Sequence, residues 1–162
     1  MNWIIKNRDK LRFHTNLNVL LRPIENDIQR FNWLINDLEI NSSELENLPI
    51  TQERDWFFIT SEQMEELRIS DTQILWGAFS AIDNKINLDI NEDMLPYAEN
   101  VSEIWNNGNL QVKESEIEII AWDSSFTIVK FTDEILSNKF SDYFDEAIEL
   151  EKYKWKKKAD NK

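Results

Sequence analysis

The stretch Glu116–Phe131, EIEIIAWDSSFTIVKF, sets two apolar runs around the polar trio Asp123-Ser124-Ser125, and the reading of that trio decides the fold. Ile117, Ile119 and Ala121 alternate onto one face of a strand, and Phe126, Ile128 and Val129 supply a second strand. Asp and Ser bond their own backbone and reverse a chain without any chemistry, so the trio is expected to be the turn of an antiparallel hairpin. The competing geometry is one continuous strand that carries the trio through a bulge. A carboxylate beside two hydroxyls could also begin hydrolytic chemistry, but a nucleophile of that kind needs a base within reach. The single histidine, His14, stands between Phe13 and Thr15 in no recognisable motif, and no glycine elbow is near. The trio is therefore scaffold, and no catalytic residue is assigned.

Working outward, Leu17–Arg22 reads as a strand ended by Pro23, and Phe31–Asn36 as a neighbour with Phe31, Trp33 and Ile35 on one face. Asp55–Ile59 reads as another strand. The segment TSEQMEELR then switches to helical spacing, with Thr60 and Gln63 three apart as in a capping box. Residues 74–82, ILWGAFSAI, carry no charge, as expected of a central strand covered on both sides. Residues 83–109 are polar and irregular, with Pro96 and the Asn107-Gly108 turn signal, the kind of long loop that often carries function. From Thr132, a candidate cap, Ile135, Leu136, Phe140, Tyr143, Phe144, Ala147 and Ile148 recur at helical intervals. The expected fold is α+β: a mainly antiparallel sheet of about six strands with a C-terminal helix packed on one face. It is read as a single domain over residues 1–162, with a basic tail from about residue 151.

At 162 residues such a chain buries roughly 70% of its unfolded surface, enough for one ordinary core. No run approaches the ~18 apolar residues of a membrane span, and the start MNWIIKNRDK lacks a signal-peptide pattern. No cysteine is present, which removes disulfides and thiolate chemistry, and a cytoplasmic location is expected. The net charge of −13 is uneven: residues 31–150 hold 26 acidic and six basic side chains, whereas both ends are basic. An acidic body of this kind repels nucleic acid and membrane surfaces and attracts basic macromolecules. Acidity can also serve solubility alone.

No phosphate loop or dinucleotide fingerprint is present, since each depends on glycines and the chain has two, Gly77 and Gly108. In DINEDMLPYAEN, Asp89, Asn91 and Asp93 alternate as in a calcium loop, but Met94 stands where glycine is required and Asn100 where the closing Glu belongs. No metal or cofactor is assigned. The tail segment KYKWKKK mixes cations with aromatics but is too short to outweigh the acidic body. Of seven tryptophans, Trp33, Trp56, Trp76 and Trp122 fall in expected strands and are read as core. Trp105, in the polar stretch EIWNNGN, is read as a candidate contact, because tryptophan is enriched among interface anchors.

The segments RPIENDIQRFNWLI, ILWGAFSAI, IEIIAWDSSFTIVKFTDEI and KFSDYF together resemble, in broad style, the small acidic cysteine-free immunity proteins of bacteria. That resemblance implies a non-enzymatic module that binds a cognate toxin domain, often a basic nuclease, and occludes its active site or substrate surface. The candidate contacts are Glu62, Glu65 and Glu66 on the first long helix, Asp89, Glu92 and Asp93 in the acidic loop, and Trp105. A small enzyme using acidic-loop carboxylates and a nucleic-acid mimic are the alternatives. A basic protein partner is expected, with no direct nucleic-acid or membrane contact, and the oligomeric state is left open.

Overall fold

Asp123-Ser124-Ser125 is a turn. In the computed structural model, Trp122 pairs with Phe126 and the Ser125 N–H donates to the Trp122 carbonyl at 2.8 Å. Asp123 and Ser124 take φ values of 45° and 51°, the left-handed conformations that give a hairpin the twist of its strands. The structure describes residues 1–7, 9–42, 45–51, 53–70, 72–99 and 102–153.

The elements in chain order are β1 (Asn2–Ile5), α1 (Leu17–Leu20), β2 (Phe31–Asn41), β3 (Trp56–Ile59) and α2 (Ser61–Ile69). They continue with β4 (Gln73–Asp83), β5 (Ser115–Trp122), β6 (Phe126–Phe131), α3 (Glu134–Tyr143) and β7 (Ile148–Glu149). The seven strands form one antiparallel sheet in the order β3-β2-β4-β5-β6-β1-β7. The fold is α+β as expected, with seven strands among the described residues rather than about six. Among the described residues no helix is long and apolar enough to cross a membrane.

The difference in strand count comes from both ends of the chain. Leu17–Arg22 is not a strand: it forms α1 and runs into a 3-10 turn at Arg22–Ile24. The Asn16 side chain accepts from Val19 N–H at 3.2 Å, and Pro23 fits the first positions of the following turn. Leu17, Leu20, Leu21, Ile24 and Ile28 are all buried, at spacings of three and four residues that only a helical path presents to one core. In its place β1 pairs with β6, Ile4 opposite Ile128, and the two-residue β7 closes the far edge.

The two faces of the sheet are covered differently. One carries Trp33, Ile35, Phe79, Ile117, Ile119, Val129 and Phe131 against Met64 and Leu67 of α2 and Leu136, Phe140 and Phe144 of α3 and its end. α2 begins with the expected capping box: Gln63 N–H donates to Thr60 Oγ1 at 3.3 Å and Thr60 N–H to Gln63 Oε1 at 2.9 Å. α3 is capped by Asp133 rather than Thr132, its Oδ1 accepting from Ile135 and Leu136 N–H at 2.7 and 3.1 Å. The helix stops at Tyr143, short of the expected Ile148, and Ile135 is exposed rather than packed.

The other face carries Leu34, Ala78, Ile82, Ile120, Phe126 and Ile128, and the described residues of 84–99 and 102–114 lie over it through Leu88, Ile90, Leu95, Ala98, Ile104 and Val112. Among its described residues this stretch has no long element, only 3-10 turns at Glu92–Met94 and Ser102–Trp105. The expected loop is therefore the second cover of the sheet. Of the basic tail, residues 151–153 are described, and the cation-rich remainder, Trp155 included, lies outside the described residues.

Candidate functional site

β2 and β3 pair from Trp33↔Ile59 to Asn36↔Trp56 and then part. At the parting point β2 is bulged: its register against β4 shifts between Asn36 and Glu39 and again before Ile40, and Asp37 takes a φ of 57°. The extra residue changes the strand's phase. Trp33 and Ile35 face the helices before the bulge, and Leu38 and Ile40 face them after it. Glu39 is left opposite Trp76. Gly77 permits this, because a Cβ there would meet Phe79 Cε2 at 2.9 Å and Leu38 Cδ1 at 3.1 Å.

A cleft of about 1210 Å³ opens where the two strands diverge. Asn36–Ile40 form one wall, Glu53–Phe58 the other, and the loop cover closes one side with Glu92, Leu95, Tyr97 and Glu99. Six carboxylates line it, Asp37, Glu39, Glu53, Asp55, Glu92 and Glu99, against the single cation Arg54 among the described lining residues. Trp56, Phe58, Trp76 and Tyr97 add aromatic surface, with Phe58 and Tyr97 exposed. An aromatic shelf continues away from the cleft: Trp76 lies 4.9 Å from Trp122, and Trp105 lies 5.7 Å from Trp122 and 5.5 Å from Phe126 between ring centres.

The cover is pinned to the sheet at two places, which fixes the cleft's third side. Asp37 Oδ2 accepts from the N–H groups of Ala98 and Glu99 at 3.0 and 2.9 Å, and Asn36 Nδ2 donates to the Pro96 carbonyl at 3.0 Å. Gln111 ties the last part of the cover to its middle, accepting from Tyr97 N–H and donating to the Tyr97 carbonyl, each at 2.9 Å. The second anchor is a fully buried ion pair, Lys130 Nζ to Glu118 Oε1 at 3.1 Å, between register neighbours on β5 and β6. Lys130 Nζ also donates to the carbonyls of Glu103 and Asn109 at 3.1 and 2.7 Å, and Glu118 Oε2 accepts from Gln111 N–H at 2.7 Å. Burial pushes the Lys130 ammonium below its ordinary pKa, and the Glu118 carboxylate opposes that shift.

The seven residues singled out from the sequence do not form one surface. Glu62 and Glu66 are exposed on α2, on the helical side of the sheet. Hydrogen bonds from its own backbone N–H and from the Thr60 and Ser61 hydroxyls hold the Glu62 carboxyl below the usual range. Glu65 is bound by Arg68, whose Nε and Nη2 donate to its two oxygens at 2.7 and 2.6 Å, and this holds its carboxyl low. Glu62 and Glu65 border a smaller hollow of about 380 Å³ beside Ile28 and Gln29.

Asp89, Glu92 and Asp93 lie exposed on the cover, on the opposite side, and of these Glu92 lines the cleft. Asn91 Oδ1 accepts from Asp93 N–H at 3.0 Å, which makes this segment the start of a turn, and Asn100 lies outside the described residues. Among the described residues no three His, Asp or Glu side chains gather to hold a metal ion. Trp105 is half-buried in the aromatic shelf. Trp33 is fully buried as expected of core, whereas Trp56, Trp76 and Trp122 are half-buried, and Trp56 and Trp76 line the cleft.

Asp37, Glu39, Glu53, Asp55 and Glu99 were not singled out from the sequence. For four of them the signal is charge abutting an apolar strand run, NDLE after FNWLI and ERD before WFFI, whereas Glu99 has no such signal. No family model, curated protein or solved structure matches the chain.

Proposed function

We propose that the chain is a protein-binding module that neutralises a basic partner, as an immunity protein neutralises a toxin domain, with the cleft between β2 and β3 as its contact surface. The observation that carries this reading is six carboxylates and five aromatic side chains, Phe57 included, around one open concavity with a single opposing cation among its described lining residues. Its volume, about 1210 Å³, exceeds the roughly 300–1,000 Å³ of small-molecule pockets and suits a protruding protein segment better than a metabolite. Clustered negative charge accelerates encounter with a basic surface, and half-buried aromatics slow release once water is excluded.

The test is co-expression of the full chain with the basic protein encoded beside it, followed by co-purification at moderate salt. The triple substitution Glu53→Lys, Asp55→Lys and Glu99→Lys is expected to abolish retention, while Glu62→Lys with Glu66→Lys on α2 leaves it intact. Retention by the cleft variant together with loss by the α2 variant would move the contact surface to the helical face and overturn this assignment.

A further inference from the structure

Successive residues of a strand point to opposite faces, so a cavity touched by five consecutive residues of β2, Asn36–Ile40, meets that strand edge-on. Across the cleft the three consecutive β3 residues Trp56–Phe58 also line it, with Glu53–Asp55 leading into that strand. On its inner edge this part of β2 is held by β4, through Glu39↔Trp76, Ile40↔Ile74 and Asn41↔Gln73. On its cleft edge no described residue pairs with it beyond Asn36. The concavity is thus a notch into the sheet where β3 falls away from β2.

Resting on the reading of the chain as a binder of basic proteins, we infer that the partner enters as an extended segment that pairs with the edge of β2 at Asp37–Asn41 that no described residue pairs with. Five residues of β2 span about 16 Å, the reach of a short added strand. The two sides of the notch dictate that segment's side chains. On the cover side stand Glu39, Glu92, Glu99, Trp56 and Trp76, which suit lysine or arginine by charge and by ring stacking. On the helical side Leu38, Ile40 and Ile50 suit valine, isoleucine or leucine. The occupant is therefore a segment alternating basic and apolar residues, with main-chain bonds giving affinity and alternate side chains giving selection.

The probe is an acetylated, amidated hexapeptide alternating lysine or arginine with valine, titrated into the full chain at low salt. It is compared with the same peptide N-methylated on alternate amides, which keeps its charge and removes one hydrogen-bonding edge. The unmethylated peptide is expected to bind at least about tenfold more tightly. It is also expected to slow amide hydrogen exchange at Leu38–Asn41 while leaving α2 unchanged. Equal binding by both peptides, without slowed exchange, overturns strand pairing and leaves the acidic contact surface standing. Binding by neither peptide overturns the inference as a whole. The charge reversals against the natural partner then judge the broader reading separately.

Discussion

Lys130→Met removes a cation with no solvent exposure and three close oxygen neighbours. The substitution fits the space of the lysine stem, so its cost is electrostatic. Glu118 is left as a buried carboxylate whose remaining donor is Gln111 N–H at 2.7 Å, and the carbonyls of Glu103 and Asn109 lose their shared partner. Breaking a buried pair from one side costs about 3–5 kcal/mol, a large part of the roughly 5–15 kcal/mol that holds a domain of this kind folded. With a urea slope of about 2 kcal/mol/M, the unfolding midpoint falls by about 2 M.

Adding Glu118→Leu removes the stranded charge and is expected to restore about 2 kcal/mol, because a buried pair exchanged for apolar residues is often neutral. The double variant still lacks the bonds to Glu103, Asn109 and Gln111, so its cover opens more often and limited proteolysis within residues 103–111 accelerates. Equilibrium urea unfolding followed by tryptophan fluorescence, with timed proteolysis, measures both effects. A loss below about 1 kcal/mol in Lys130→Met, or a double variant no more stable than the single, would refute the latch.

Three further outcomes can be measured by the same unfolding assay. Ser124→Gly relieves a left-handed φ of 51° at a position where glycine pays no steric penalty, and is expected to stabilise the chain by about 0.5–1 kcal/mol. Gly77→Ala places a methyl group 2.9 Å from Phe79 and 3.1 Å from Leu38 and is expected to cost about 1–3 kcal/mol. Glu65 has its carboxyl held low by Arg68, so the stability it contributes is full above the unfolded carboxylate value near 4.3 and disappears as pH falls through the lower folded value. The stability gap between wild type and Glu65→Gln is therefore expected to close on acidification from about pH 5, and a gap constant to pH 2 would contradict the pairing.

Elements set by local chemistry were legible in the sequence. The Thr60/Gln63 box starts α2 because two side chains three residues apart answer two orphan amides, whatever the rest of the chain does. The Asp123-Ser124-Ser125 reversal was legible for the same reason. Leu17–Arg22 was not, because a short apolar run ending in proline satisfies a strand pattern locally. Its helical character appears only when Leu17, Leu20, Leu21, Ile24 and Ile28 are counted together over twelve residues. β1 is four residues long and its meaning lies in a partner more than a hundred residues away.

The cleft was illegible for a related reason. With 31 acidic residues, Glu53, Asp55 and Glu99 look like any others until the β2–β3 register and the Asp37 bulge bring them together. Trp56 and Trp76 read as core because they sit in strands. They are half-exposed because each sits where its strand leaves the sheet's regular pairing.

The pairing of β1 with β6 also governs the order in which the molecule can be made. During vectorial synthesis Asn2–Ile5 leaves the ribosome more than a hundred residues before its docking site, Phe126–Phe131. Until then Trp3, Ile4 and Ile5 have no place in the sheet, and β6, once formed, presents the unshielded edge FTIVKF. A truncated chain lacking β1 therefore exposes a six-residue template for self-association, and in the full chain β1 must dock on that edge before a second chain does.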